Sequence, residues 1–386
     1  MYNKLFVENL QVQEGAETLH SEGLLNDEQL KTAHHEFPSH FYHANIFVKI
    51  GLFIFTILVL LFVQGLFFML VAETLFRSKD HIWGSFQFVI SLIMFFMIEN
   101  AAFFQNRKFY RSGTDNALIY AACLSLICSL VMIFKLSNDG LVTVSIACGV
   151  AGIAARRYGD IFLSVLAFIL LNVVLFLILI KFPFGKAILP FATMLYWGII
   201  GYFARNLKQN DSYYYWHDAA DVIETVALLG FYAGGNYWVV RECSANLEHQ
   251  YPSVQVPFAA LFYLFMVVIP LVYFYAAHRF RERKFLIMSL LCIVFSIITY
   301  RNYHAVAPLE IALTIGGAFL IGLSIFLIQK LKTPQYGFSD EPSAVKNSLL
   351  ETLITSQLLK SHHTPDNLGV QFGGGDTGGG GASSEF

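Results

Sequence analysis

Charge is what this chain lacks most. Lys, Arg, Asp and Glu make up 13% of its 386 residues, where a soluble domain carries about 25%. With 56% of the residues hydrophobic, a water-soluble fold would leave large apolar patches exposed. A bilayer removes that conflict, because lipid solvates the outer faces. The few charges nearly cancel, to a net −2, so there is no basic stripe of the kind that binds nucleic acid. Cysteine is scarce as well. Five residues without a CxxC spacing define neither a disulfide framework nor a zinc site. Cys123, Cys128, Cys148 and Cys292 lie in apolar runs, and only Cys243 reads as exposed.

Catalytic signatures are missing too. There is no GxSxG, no Walker A loop and no GxGxxG following a strand. The segment His35-Glu36-Phe37-Pro38-Ser39-His40 resembles HExxH with one residue too many. The zincin pair needs histidines four apart on one helical face, and Pro38 interrupts the helix. His34, His35, His40 and His43 cluster before the first apolar segment, but no Cys or carboxylate joins His40 and His43 at a ligand-like spacing. They read as interfacial side chains, and neither a metal nor any other cofactor is expected. The first 44 residues lack the basic and apolar regions of a signal peptide. The first span is therefore expected to serve as its own insertion signal.

What the chain does have is long apolar runs. A hydrocarbon core about 30 Å thick needs roughly 17–25 apolar residues in a helix. Ten segments come near that length: Ile50–Ala72, Ile82–Ile98, Ala117–Phe134, Leu141–Ala155, Ile161–Ile180, Ile188–Ala204, Ala219–Val240, Val256–Ala277, Phe285–Tyr300 and Ile311–Ile328. The fourth is short and dense in small residues, which suits close packing in the bundle centre or a re-entrant segment. The expected fold is an all-α polytopic membrane bundle of about ten transmembrane helices. With the N-terminus in the cytoplasm, the inner loops hold eleven Lys and Arg and the outer loops seven. That bias places both termini in the cytoplasm.

The bundle, residues 45–331, is flanked by two small ends. The N-terminal segment, 1–44, reads as two short helices, the second opened by a capping box of Asn26 and Gln29 and ended by Pro38. The tail, 332–386, contains one amphipathic helix at 343–360, with apolar residues in a helical stripe. Its glycine-rich end is expected to be disordered.

The stretch Leu19–Leu30, leading into a first span at Ile50, resembles the opening of a family of predicted bacterial membrane proteins of unknown function. The ending Phe372–Ala382 is similar to the glycine-rich tails of bacterial TPM-domain proteins. Together these resemblances imply a multi-pass protein of the bacterial inner (plasma) membrane. They carry over no catalytic or binding residue.

The most informative polar residues lie on the seventh segment. At 100° per residue, His217, Asp221 and Glu224 fall within about 60° of one another. Asp218 and Asn236 widen that face. A carboxylate deep in a bilayer needs a partner or water. Asp221 and Glu224 therefore read as an ion or substrate site, with one carboxyl protonated, or as a structural pair holding an arginine such as Arg156 or Arg157. Gly230 and Gly234 form GxxxG, for close packing, and Gly234-Gly235 permits local unwinding. Glu99, Asp115 and Asp160 sit at the same end of neighbouring segments and would wall an inward-facing polar cavity, or simply contact water at helix ends. Asn172, mid-span, reads as a bond to a neighbouring helix.

Three functions fit these features. The primary reading is a non-catalytic membrane component, in contact with the lipid bilayer and binding a protein partner through its cytoplasmic ends. The second is a transporter or channel-like protein for a small polar solute or ion, using the seventh segment. The third is an intramembrane enzyme acting on lipid or peptide.

Overall fold

A computed structural model describes residues 4–21, 23–39, 46–76, 80–100, 111–136, 140–209 and 215–304, with isolated positions between 314 and 329. Among these residues every regular element is a helix. Twelve follow in order: α1 Lys4–Ser21, α2 Asp27–Glu36, α3 Ile46–Phe76, α4 Asp80–Glu99, α5 Thr114–Ile133, α6 Gly140–Tyr158, α7 Ile161–Leu179, α8 Gly185–Lys208, α9 His217–Gly235, α10 Tyr237–Glu248, α11 Ala259–Phe280 and α12 Arg283–Tyr303. Eight of them, α3 to α8, α11 and α12, are long and apolar enough to cross a membrane. The protein is thus an all-α, multi-pass membrane bundle.

A ninth helix, α9, has 19 residues, about 28 Å of length, and differs in carrying three carboxylates in its first half. The seventh apolar segment is therefore two elements. Asn236, extended at φ −81° and ψ 125°, separates α9 from the shorter α10. The tenth segment, Ile311–Ile328, lies largely outside the described residues, as do the helix expected at 343–360 and the glycine-rich end.

The outer faces are what lipid requires. On α3, Phe62 is 68% and Met69 78% exposed, with backbone groups satisfied inside the helix as a bilayer demands. The contacts between helices use small residues instead. Ala117, Ala122, Ser129 and Ser289 are fully buried, and small side chains let backbones approach. The fourth segment is one unbroken helix, α6. Its alanines 151, 154 and 155 are buried, while Gly149 and Gly152 face open space. Its small residues thus serve the contact only in part.

Helices α8 and α9 approach closely. A Cβ on Gly230 would lie 2.5 Å from the Trp197 indole, and one on Gly234 would lie 3.1 Å from the Pro190 carbonyl. The GxxxG pair is a packing device, as its spacing suggests.

The first N-terminal helix docks on the bundle, and α2 packs on it. In α2 the capping box forms: Gln29 N–H donates to Asn26 Oδ1 at 2.8 Å, and Asn26 N–H to Gln29 Oε1 at 2.9 Å. The helix ends at Glu36, before Pro38. The α1 face of Val7 and Leu10 is buried against Tyr215. Tyr215 in turn donates its hydroxyl to the Tyr158 carbonyl at 2.6 Å. Its ring lies over Gly159, whose φ of +63° and close ring contact both exclude a side chain.

Gly230→Val forces the branched side chain into the Trp197 indole. It is expected to destabilise the protein by about 2 kcal/mol, the cost of overpacking. Thermal unfolding in detergent measures this, and Trp197→Leu in the same chain should restore part of the loss.

Candidate functional site

Glu224, two turns into α9, is 2% exposed, and three cations meet it. Arg205 Nη1 donates to its Oε1 at 2.9 Å, Lys208 Nζ lies 3.3 Å from its Oε2, and Lys284 Nζ bonds the same oxygen. Each cation is positioned by a helix end. Arg205 and Lys208 occupy the last turn of α8, and Lys284 the first turn of α12. Both lysines also reach Asp221, Lys284 at 3.1 Å. Glu282 completes the set, with its carboxylate 3.0 Å from Arg205 and 2.9 Å from Lys284. The Arg205 guanidinium stacks 3.9 Å from the centroid of Phe280, which supplies cation–π attraction where water is sparse.

Three carboxylates are thus interleaved with three cations. Burial alone would raise the Glu282 pKa, but bonding to Lys284 and the fields of Lys284 and Arg205 win, and it lies below the usual carboxylate range. A charged carboxylate is the state that each of these contacts favours.

The arginine at this pair is Arg205, in place of the Arg156 or Arg157 expected from the sequence. Arg157 pairs with Glu99 instead, at 2.6 Å, and Tyr158 donates to the same carboxylate at 3.1 Å. The remaining expected residues have local partners. Asp115 accepts from the backbone N–H of Arg111 and Ser112 at 2.9 and 3.0 Å and so closes the turn before α5. The Arg111 side chain reaches across to Asp218 at 2.5 Å. Asp160 caps α7 through Leu163 N–H at 2.8 Å and accepts from the Tyr120 hydroxyl at 2.9 Å. His217 opens α9. Glu99, Asp115 and Asp160 therefore serve helix ends and helix pairs.

Asn236 is 2% exposed at the far end of α9. Its side-chain oxygen accepts from Trp238 and Val239 N–H, capping α10, and its amide donates to the Tyr232 hydroxyl at 2.9 Å. Thr299 on α12 donates to Asn236 Oδ1 at 3.2 Å. The break in the seventh segment is thereby satisfied from within. Among the described residues no group of three His, Cys, Asp or Glu is placed to hold a metal. His40 and His43 lie outside those residues.

Glu282 and the three cations were not singled out from the sequence as partners of α9. A signal was present: α8 ends and α12 begins at the end where α9 begins, and Arg205 and Lys208 close α8 while Arg279, Arg281, Arg283 and Lys284 crowd the turn between α11 and α12.

Glu224→Gln leaves Arg205 and Lys284 short of a buried counter-charge and should destabilise by about 3–5 kcal/mol. Glu282→Gln, at the more exposed edge, should cost less. Asn236→Ala removes a helix cap and strands Thr299, for about 2–3 kcal/mol. Unfolding curves of the three purified variants, ranked against the parent, check both statements.

No protein-family model, no curated protein and no solved structure matches this chain.

Proposed function

We propose that the protein is a non-catalytic component of a membrane, the bacterial inner membrane on the resemblance of its two ends. Both termini lie in the cytoplasm, and the N-terminal helices bind a protein partner there. One observation carries this reading: Asp221 and Glu224 of α9, together with Glu282, are matched in number by Arg205, Lys208 and Lys284, which suits a closed joint better than a solute site. Supporting it, α1 is docked on Tyr215 while α2 buries none of its residues. A mixed-charge face on a docked helix offers an interaction surface at low entropic cost.

A carrier is the second reading, and the interruption at Asn236 favours it, since discontinuous helices build ion sites in transporters. The two readings differ in what they expect of Asp221→Asn combined with Glu224→Gln. A structural joint loses much of its thermal stability. A proton or cation site keeps its fold and loses only activity, so an unchanged melting temperature would sink the component reading.

Orientation and partner are tested separately. Reporter domains fused before Lys4 and after Lys332 should both be active as cytoplasmic reporters; periplasmic activity at either would refute the topology. A photo-crosslinker at Lys31 on α2 should capture one discrete protein in cells. The same group at Lys181, at the opposite end of the bundle, should not. Equal capture at both positions would argue against a partner at the N-terminal helices.

A further inference from the structure

A cavity of about 500 Å³ lies among α7, α8, α9, α10 and α11, away from the ion-pair joint and alongside the Gly230–Trp197 contact of α8 and α9. None of the α9 carboxylates lines it. Its walls are mostly apolar, with Phe176, Leu189, Phe191, Trp197 and Phe262 among them, and the neutral hydroxyl residues Thr193 and Ser244 also reach the lining. Gly230 and Gly234 supply a side-chain-free stretch of wall on α9. The interruption at Asn236 matters here. It lets α10 turn so that Val240, Cys243, Ser244 and Leu247, which share one helical face, line the same space.

From Lys186 to Trp197 the cavity follows α8 for about 16 Å, roughly half of a hydrocarbon core. Lys186 and Glu248 are the charged residues in its lining, and they pair with each other at 3.7 Å, half-exposed. The interior therefore offers no counter-charge to an ionic ligand. It does offer a polar group. Asn172, on α7, lines the cavity, and its Nδ2 is buried with no hydrogen-bond partner. A buried donor without an acceptor costs about 1–3 kcal/mol. The χ2 torsion of asparagine is soft, so a modest turn presents the amide N–H to the cavity.

We propose that this cavity binds a neutral, mostly apolar membrane-soluble molecule that carries a carbonyl group, with Asn172 donating a hydrogen bond to the carbonyl oxygen. The apolar walls hold the body of the molecule, and the lack of interior charge selects against acids and amines. Its size falls within the range of small-molecule pockets. The ligand enters from the Lys186–Glu248 rim or through the neighbouring lipid. This site is independent of the component reading, because none of its residues belongs to the joint or to the N-terminal helices.

Two probes that share a chain test the proposal: a decyl-substituted 1,4-benzoquinone, which has carbonyl groups, and decylbenzene, which has none. Each is titrated into the purified full-length protein in detergent, and binding is read as saturable thermal stabilisation. The quinone should stabilise the parent protein at lower concentration than decylbenzene does. Asn172→Leu should weaken the quinone by about tenfold, the size of one buried hydrogen bond, and leave decylbenzene unchanged. Ala233→Phe, which fills the cavity, should abolish both. If that variant does not fold, Ala187→Trp at the exposed rim serves the same purpose. Equal binding of the two probes to parent and Asn172→Leu would overturn the carbonyl assignment. Stabilisation that does not saturate, or that survives both blocking variants, would show partition into detergent and overturn the site itself.

Discussion

A carboxylate sealed inside an apolar bundle is tolerable only when counter-charge stands at contact distance. Glu224 meets that requirement through Arg205 and Lys284, and the requirement organises the helices around it. Arg205 closes α8, Lys284 opens α12, and Glu224 belongs to α9. Three elements must therefore end or begin at one level for the charges to meet. Removing water from ions costs several kcal/mol each unless the geometry is good. The guanidinium answers with two bonds to two acids and a ring beneath it. Lysine at 205 could not do the same, because an ammonium lacks the planar fork and stacks less well.

The opposite end of α9 is held by neutral groups. Asn236 ends one helix and starts another, and Tyr232 and Thr299 supply its remaining bonds. The two ends divide the work. Ionic contacts set where α9 sits among its neighbours, while the polar break sets where the chain goes next. Between them, glycines at 230 and 234 bring α8 to near van der Waals contact.

Much of the architecture was legible in the sequence because lipid imposes a single rule on every span. Eight long apolar runs became eight helices, and the Asn26–Gln29 capping box formed as its spacing implies. Asp221 and Glu224 could be placed on one face from periodicity alone. Their partners could not. Periodicity describes one helix at a time, whereas Arg205 comes from the preceding helix and Lys284 and Glu282 from segments about 60 residues further along. The division of Ala219–Val240 was hidden for a related reason. Asn236 is followed by an apolar stretch, Tyr237–Val240, that reads as more of the same span, and only its hydrogen bonds to Trp238 and Thr299 reveal a cap. The cavity was beyond reach, since five helices must be assembled before the space between them exists.

The docking of α1 on Tyr215 has a consequence for how the chain is made. Val7 and Leu10 leave the ribosome about 200 residues before the ring that covers them. At a synthesis rate of 5–20 residues per second, the gap is roughly 10–40 s. During that interval the Tyr215 side of α1's apolar face is uncovered. The stripe thus waits uncovered by Tyr215, available to a chaperone or to the membrane surface, until six spans have been threaded and that ring arrives to claim it.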